Sequence, residues 1–257
     1  MCAPPVCGTV GGVDDGFTLL AASDAPLVLS GAGLSVAAGI PDFRGPDGLW
    51  TRDPAAESLS EISAYLGDPA VRARVWDRAA SAPPRQPTPA HWAIAELATS
   101  RSTRIITQNT DGLHRATGLD EELIELHGSA ATTRCRSCGA RQSTAAVLGR
   151  VRAGETDPRC SRGTPPCGGI LATEVVRFGE NLDRALWRRA QSWVRASDLL
   201  VVVGSSLRVA PAHHLLELAT RVVIVNQQPG PYDARADVVV RDDLQAVLVD
   251  WVSRLRA

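Results

Sequence analysis

Short apolar runs rich in β-branched residues recur along the chain at 26–30, 104–107, 199–203, 221–225 and 236–240. None alternates apolar with polar positions, so each predicts a strand buried on both faces. Between them, 89–99, 182–196 and 212–220 carry helical patterning, with Pro211 placed where a first helical turn tolerates a missing N–H. The run Leu244–Leu255 predicts a closing amphipathic helix. Strands alternating with helices predict an α/β fold, a Rossmann-like parallel sheet covered by helices. The rhythm breaks at 46–88 and at 129–173, which predict a smaller inserted helical and metal-binding domain, leaving 1–45, 89–128 and 174–257 for the Rossmann-like domain.

The length of 257 residues accommodates one large domain with such an insertion. A formal net charge of -1 offers no basic stripe for duplex binding, which argues against nucleic acid as a direct partner. All 27 basic residues are arginine, so lysine Schiff-base chemistry is excluded. The stretch 1–24 lacks a basic start followed by a long apolar core, and no later window is apolar for long enough to span a bilayer; a cytoplasmic chain without membrane association is expected. Six cysteines change the picture more. Cys2 and Cys7 fall in a Pro/Gly-rich tail, whereas Cys135 and Cys138 are paired at C-x2-C spacing and Cys160 and Cys167 form a second, wider pair. With no histidine in the interval, the pattern predicts a closed four-thiolate zinc site of structural role, the turns eased by Gly139 and Gly168.

The first strand runs into Gly31-Ala32-Gly33-Leu34-Ser35, where small residues let backbone amides approach a pyrophosphate. A tight strand-to-helix turn would look the same. Val36 replaces the third glycine of the dehydrogenase fingerprint, and no acidic residue closes a neighbouring second strand at the distance expected for ribose recognition, which disfavours hydride transfer. Next come Gly39-Ile40-Pro41-Asp42-Phe43-Arg44-Gly45 and Gly48-Leu49-Trp50, then Gln108, Asn109, Asp111 and His114 after the second strand. Gly204-Ser205-Ser206 and Asn226 close two further strands. Four polar clusters at the carboxyl edge of one sheet predict a large bound ligand there.

These stretches, with Leu126-His127-Gly128 and Phe178-Gly179-Glu180, stand in the order found in the sirtuin family, and the chain resembles that family, its actinobacterial branch most, from about Pro26 onward. The resemblance implies an NAD-dependent protein lysine deacylase that makes nicotinamide and 2'-O-acyl-ADP-ribose, with NAD as co-substrate and one structural zinc. It implies that Gly31, Ala32, Gly33, Ser35, Gly204, Ser205 and Ser206 hold the pyrophosphate and ribose region and Asn226 the adenosine ribose. Ile40, Asp42 and Asn109 would form the nicotinamide pocket, supported by Asp111, with Phe43 and Arg44 on a closing loop. Gln108 and His127 would face the nicotinamide ribose. Acylated lysine of a protein substrate would enter beside Val176, Phe178 and Gly179, its peptide adding a strand against Val209 and Ala210.

A lone histidine after Leu-Ile-Glu-Leu is more often structural than catalytic, yet His127 has the near-neutral pKa a general base needs, and the resemblance favours it. His91, His213 and His214 read as structural or exposed at helix starts, and His114 as structural. Ala172, Thr173 and Arg177 depart from the family pattern, as does the long Cys160 to Cys167 spacing. Acid-preferring relatives carry a Tyr and an Arg three residues apart after the cofactor loop; 70–87 contains no tyrosine, so neutral acyl groups, acetyl first, are expected. Mono-ADP-ribosyl transfer, NAD hydrolysis and a non-catalytic NAD-sensing module stay open as alternatives.

Overall fold

The computed structural model describes residues 9–53 and 55–256; Cys2 and Cys7 lie outside them. In chain order the strands are β1 (Thr9–Val10), β2 (Pro26–Ser30), β3 (Arg104–Thr107), β4 (Leu123–Glu125), β5 (Gly128–Cys135), β6 (Arg141–Ser143), β7 (Leu171–Val175), β8 (Leu199–Val203), β9 (Val222–Val225) and β10 (Val238–Val240). The helices are α1 (Val13–Ala21), α2 (Leu49–Arg52), α3 (Ala55–Ser58), α4 (Ile62–Gly67), α5 (Pro69–Ser81), α6 (Pro89–Arg101), α7 (Leu113–Ala116), α8 (Thr144–Arg152), α9 (Arg184–Ala196) and α10 (Leu244–Leu255). The segment predicted as a helix at 212–220 is a 3-10 turn, Ala212–Leu218, as is Ala32–Ala38 after β2.

Seven strands form one parallel sheet in the order β1-β10-β9-β8-β2-β3-β4. Successive side chains of a strand face opposite ways, and the sheet uses both faces. Val28, Ile105, Val201 and Val223 meet α6 and α10 on one side. Leu27, Leu29, Ile106, Val202 and Ile224 meet α9 and the 212–218 turn on the other. This two-sided burial explains why the strands read as unbroken apolar runs. The connections leave β2 toward β3 and β4, and leave β8 toward β9 and β10, so the direction of winding reverses between β2 and β8, and a crevice opens at their carboxyl ends.

A second sheet of order β6-β5-β7 is antiparallel and carries the cysteines. Its core is small: Trp76 of α5, Val147 of α8, Leu171, Cys135 and Cys160. The buried Arg72 of α5 ties the helical part to this module. Its Nε and Nη2 donate to Asp157 at 2.9 and 2.8 Å, and its Nη1 donates to the Tyr65 and Leu66 carbonyls, each at 3.0 Å. Among the described residues no helix is long and apolar enough to cross a membrane.

Candidate active site

A cleft of about 1140 Å³ runs along the carboxyl ends of β2, β3, β8 and β9 and continues between the large sheet and the smaller module. Gly31, Ala32, Gly33, Ser35, Ile40, Asp42, Phe43, Arg44, Gln108, Asn109, Asp111, His127, Val176, Phe178, Gly179, Gly204, Ser205, Ser206 and Asn226 all line it. The polar clusters at four strand ends thus converge on one space, as the sequence predicted.

At the floor, the turn after β2 is packed backbone to backbone on the turn after β8. Gly31 N–H donates to the Val203 carbonyl at 2.9 Å and Gly33 N–H to that of Gly204 at 2.8 Å. A methyl group on Gly33 would come within 2.8 Å of the Gly204 oxygen, so only glycine permits this approach. Beside the turn, Ser35 Oγ donates to Asp111 Oδ2 at 2.7 Å, and Asn109 Nδ2 donates to the Gly31 carbonyl and Ser35 Oγ at 3.1 and 3.2 Å. Asp111 also accepts from Leu113 N–H at 2.9 Å. Asn109 and Asp111 therefore brace the glycine turn as well as lining the cleft.

His127 follows β4. Its Nδ1 is 3.0 Å from the Gln108 carbonyl, which can only accept, so the imidazole proton is on Nδ1 and Nε2 carries the lone pair. Burial pushes its pKa down, against the opposing pull of that carbonyl, so the ring is neutral and able to take a proton at neutral pH. Gln108 is itself fixed, Nε2 donating to Ser205 Oγ at 2.7 Å. Two backbone bonds hold the segment around His127: Leu126 N–H to the Thr107 carbonyl at 2.8 Å and Val176 N–H to the His127 carbonyl at 2.9 Å. Gly128, next along, has φ +75°, and a Cβ there would lie 1.9 Å from the Glu174 oxygen.

The 40–49 loop folds on itself, with Asp42 Oδ1 accepting from Gly45 N–H at 2.9 Å. Asn226 Nδ2 donates to the Gln228 carbonyl at 2.8 Å, and Arg241 donates to the Asn226 carbonyl from below.

The other histidines do not share the site. His114 is buried, its Nε2 2.8 Å from Ser30 Oγ, and burial pushes its pKa down to about 3. His91, expected as a structural or exposed helix-start residue, is fully buried: its Nδ1 accepts from Thr88 N–H at 3.2 Å, and its pKa falls to about 4 through burial. The two rings lie 4.9 Å apart. His213 stacks on Tyr232 and His214 is exposed beside Glu217.

Arg177 is one of the positions that depart from the family pattern. Its guanidinium is buried 4.1 Å over the Tyr65 ring, with only long contacts, 3.4–3.5 Å, to Thr173 and Val175. Tyr65 is likewise sealed off, its hydroxyl donating to the Leu171 carbonyl at 2.7 Å. Arg78 of α5 lines the cleft without a tyrosine near it in sequence.

The four central cysteines come together with their sulfurs all within 4.8 Å of one another. Cys135 to Cys167 and Cys138 to Cys160 are each 3.8 Å. A tetrahedron with Zn–S bonds of about 2.3 Å has edges of about 3.8 Å, so the donor set fits a zinc ion closed to further ligands. Gly139 and Gly168, after the second cysteine of each pair, take φ +72° and +68° as the turns demand. The long loop between Cys160 and Cys167 removes no ligand.

Fold and site together define a Rossmann-like α/β protein with a cleft at its winding reversal and a four-thiolate metal module. Residues 31–211 match the model of the Sir2 family, and the chain belongs to that family. It is 44% identical over 229 residues to NAD-dependent protein deacetylase 2 of Streptomyces coelicolor, covering 86% of this chain and 93% of that one. Among solved structures it is similar to a Sir2 homologue in complex with NAD, at TM-score 0.81 and 31% identity, over 98% of this chain and 97% of the other. A Sir2 variant bound to deacetylated p53 peptide and 3'-O-acetyl ADP ribose superposes at TM-score 0.82 with 28% identity, covering 95% and 97%.

Proposed function

We propose that this chain is an NAD-dependent protein lysine deacylase, acetyl groups first, that releases nicotinamide and forms O-acyl-ADP-ribose. The observation that carries the reading is His127: a neutral imidazole in the cleft, its tautomer fixed by the Gln108 carbonyl so that a bare Nε2 remains. NAD supplies the ribosyl carbon that accepts the acyl oxygen of the substrate. The glycine turns at 31–33 and 204–206 would hold its pyrophosphate and ribose, and Asn226 the adenosine ribose. Ile40, Asp42 and Asn109 would enclose the nicotinamide, with Asp111 keeping Asn109 and Ser35 in place. Phe43 and Arg44 would close over the cofactor and exclude water. His127 Nε2 would take the proton of a ribose hydroxyl, a contribution typically worth about 10²–10⁴-fold. Val176, Phe178 and Gly179 would receive the acyl-lysine. The relatives named deacetylases support this reading, as do the Sir2 complexes with NAD and acetyl-ADP-ribose.

Residues 46–88 and 129–173 would form the small domain around the four-thiolate zinc, whose place away from the cleft residues gives it a structural role. Four reduced thiolates favour a cytoplasmic setting.

Mass spectrometry of the products from NAD and an acetyl-lysine peptide tests the reading. O-acyl-ADP-ribose is expected, and His127→Ala should lose its formation while still binding ADP-ribose. Free ADP-ribose alone would mark an NAD glycohydrolase, and a mass gain on protein a transferase; either would overturn the proposal.

A further inference from the structure

The charges that line the cleft are unequally committed. Its three acids are all occupied by donors of the chain itself. Asp42 accepts from Gly45 N–H, and Asp111 from Ser35 Oγ and Leu113 N–H. Glu180 accepts from Arg136 at 2.8 Å and from Arg177 N–H at 3.0 Å. Of the five arginines lining the same space, Arg44 alone pairs with an acid, Glu57, at 3.7 Å. Arg78, Arg177, Arg184 and Arg208 form no ion pair among the described residues. The whole chain has a formal charge of -1, so this surplus of positive charge is local to the cleft.

Two of the four stand where the proposed function brings the peptide. Arg208 directly precedes Val209 and Ala210, against which the peptide would add a strand. Arg184 opens α9, just after the wall of Val176, Phe178 and Gly179. Both side chains are exposed, and their donors are free for a ligand. Asp183 does not compensate its neighbour: it lines a different groove, and its Oδ1 caps α9 by accepting from Ala185 and Leu186 N–H at 2.8 and 2.9 Å. The glycine turns that would take the cofactor's phosphates are joined backbone to backbone, without either guanidinium. An extended peptide advances about 3.3 Å per residue, so a carboxylate one or two positions from the acyl-lysine lies about 3–7 Å along the strand, within an arginine's reach. Acyl-lysine is itself neutral, which leaves the electrostatics of recognition to its neighbours.

We propose that Arg184 and Arg208 select acidic flanks, so that the protein substrates of this chain carry Asp or Glu within two residues of the acylated lysine. The inference rests on the deacylase reading and narrows its substrate class. Guanidinium suits the task, since its planar fork matches a carboxylate. One exposed pair corresponds to about 1.4- to fivefold in an equilibrium, and a mouth of one sign also speeds encounter with a partner of the other at low salt. The freed lysine is a cation, so the same arginines favour release of the product.

The test compares kcat/KM for acetyl-lysine peptides that differ only in having Asp, Ala or Arg at the two positions on each side. The wild type should favour Asp over Arg flanks by about tenfold at low salt, and lose most of that preference near 1 M salt, where charges are screened within about 3 Å. Arg184→Glu combined with Arg208→Glu should invert the order at unchanged melting temperature, zinc content and ADP-ribose affinity. Arg195→Glu, in the last turn of α9, should keep the wild-type order. Equal kcat/KM on the three peptides in the wild type, or an order that the double variant leaves alone, overturns the proposal and leaves the deacylase reading standing. So does a double variant that loses ADP-ribose affinity and slows on all three peptides alike, because the arginines would then serve the cofactor. Absence of O-acyl-ADP-ribose with every peptide would bring down the deacylase reading and this one with it.

Discussion

Asp157→Ala should destabilise the smaller module far more than its place on a loop suggests. The Arg72 side chain is only 3% exposed, and two of its four hydrogen bonds go to this carboxylate. Removing the carboxylate leaves a buried guanidinium held by two carbonyls, an uncompensated charge that costs about 3–5 kcal/mol. That is a large part of the roughly 5–15 kcal/mol by which whole domains are stable. Arg72→Met combined with Asp157→Leu removes both charges and should recover to within about 1 kcal/mol of wild type, because the attraction of a buried pair is largely offset by its desolvation. Urea denaturation followed by circular dichroism, with zinc release read in parallel by a chromophoric chelator, measures both variants. The reasoning also fixes a pH window. Burial pushes the Asp157 carboxyl up, but Arg72 and Arg159 outweigh it and hold it below its ordinary value. Its contribution is therefore full above the unfolded pKa, about 3.9, and is lost only as pH falls through the lower folded value. A single variant no less stable than wild type, or a double variant as unstable as the single, would refute the argument.

The buried histidines act in a different window. His91 and His114, with pKa values of about 4 and about 3, exclude the protons that an unfolded histidine accepts near pH 6.5. Stability is thus full above pH ~6.5 and declines as pH falls toward those values, by up to about 1.4 kcal/mol per pH unit for each ring. His114→Asn should flatten this slope in urea midpoints taken between pH 6.5 and 4.5; an unchanged slope would clear the pair of responsibility. Serine at Cys135, Cys138, Cys160 or Cys167 should lower zinc content below one per chain by atomic absorption and loosen the module, since binding energy in such sites is folding energy. Serine at Cys2 or Cys7 should leave it intact. Comparing acetyl, butyryl and succinyl forms of one peptide should give the highest kcat/KM for acetyl; a clear preference for succinyl would show that Arg78 needs no tyrosine partner.

The large sheet was legible because its strands are buried on both faces, which leaves uninterrupted runs such as Leu199–Val203. The glycine turn, the strand-end polar residues and the cysteine pairs were legible because each demands particular residue types at fixed spacing. The second sheet was not: β5 mixes exposed, partly buried and buried positions without an apolar period, since the cysteine cluster organises it more than burial does. α1 was not legible behind its glycines, and the complete burial of His91 at the start of α6 was not either, because a helix-start position says nothing about the neighbour that covers it. Arg72 and Arg177 owe their significance to partners 85 and 112 positions away (Asp157 and Tyr65), and no local pattern announces such pairings.

The seam at His127 and Gly128 sets where this protein can be cut and rejoined. His127 is bonded on one side to the large sheet through Leu126 and Gln108, and on the other to the β7 extension through Val176. Gly128 then lets β5 press against Glu174 at a distance no side chain survives. A chimera that borrows a foreign zinc module must therefore keep the host's glycine and bring a matching partner for it. Splices just beyond 128 and before 176 would let the rest of the graft vary while the imidazole keeps its aim, whereas a splice two residues earlier would exchange the base along with the scaffold.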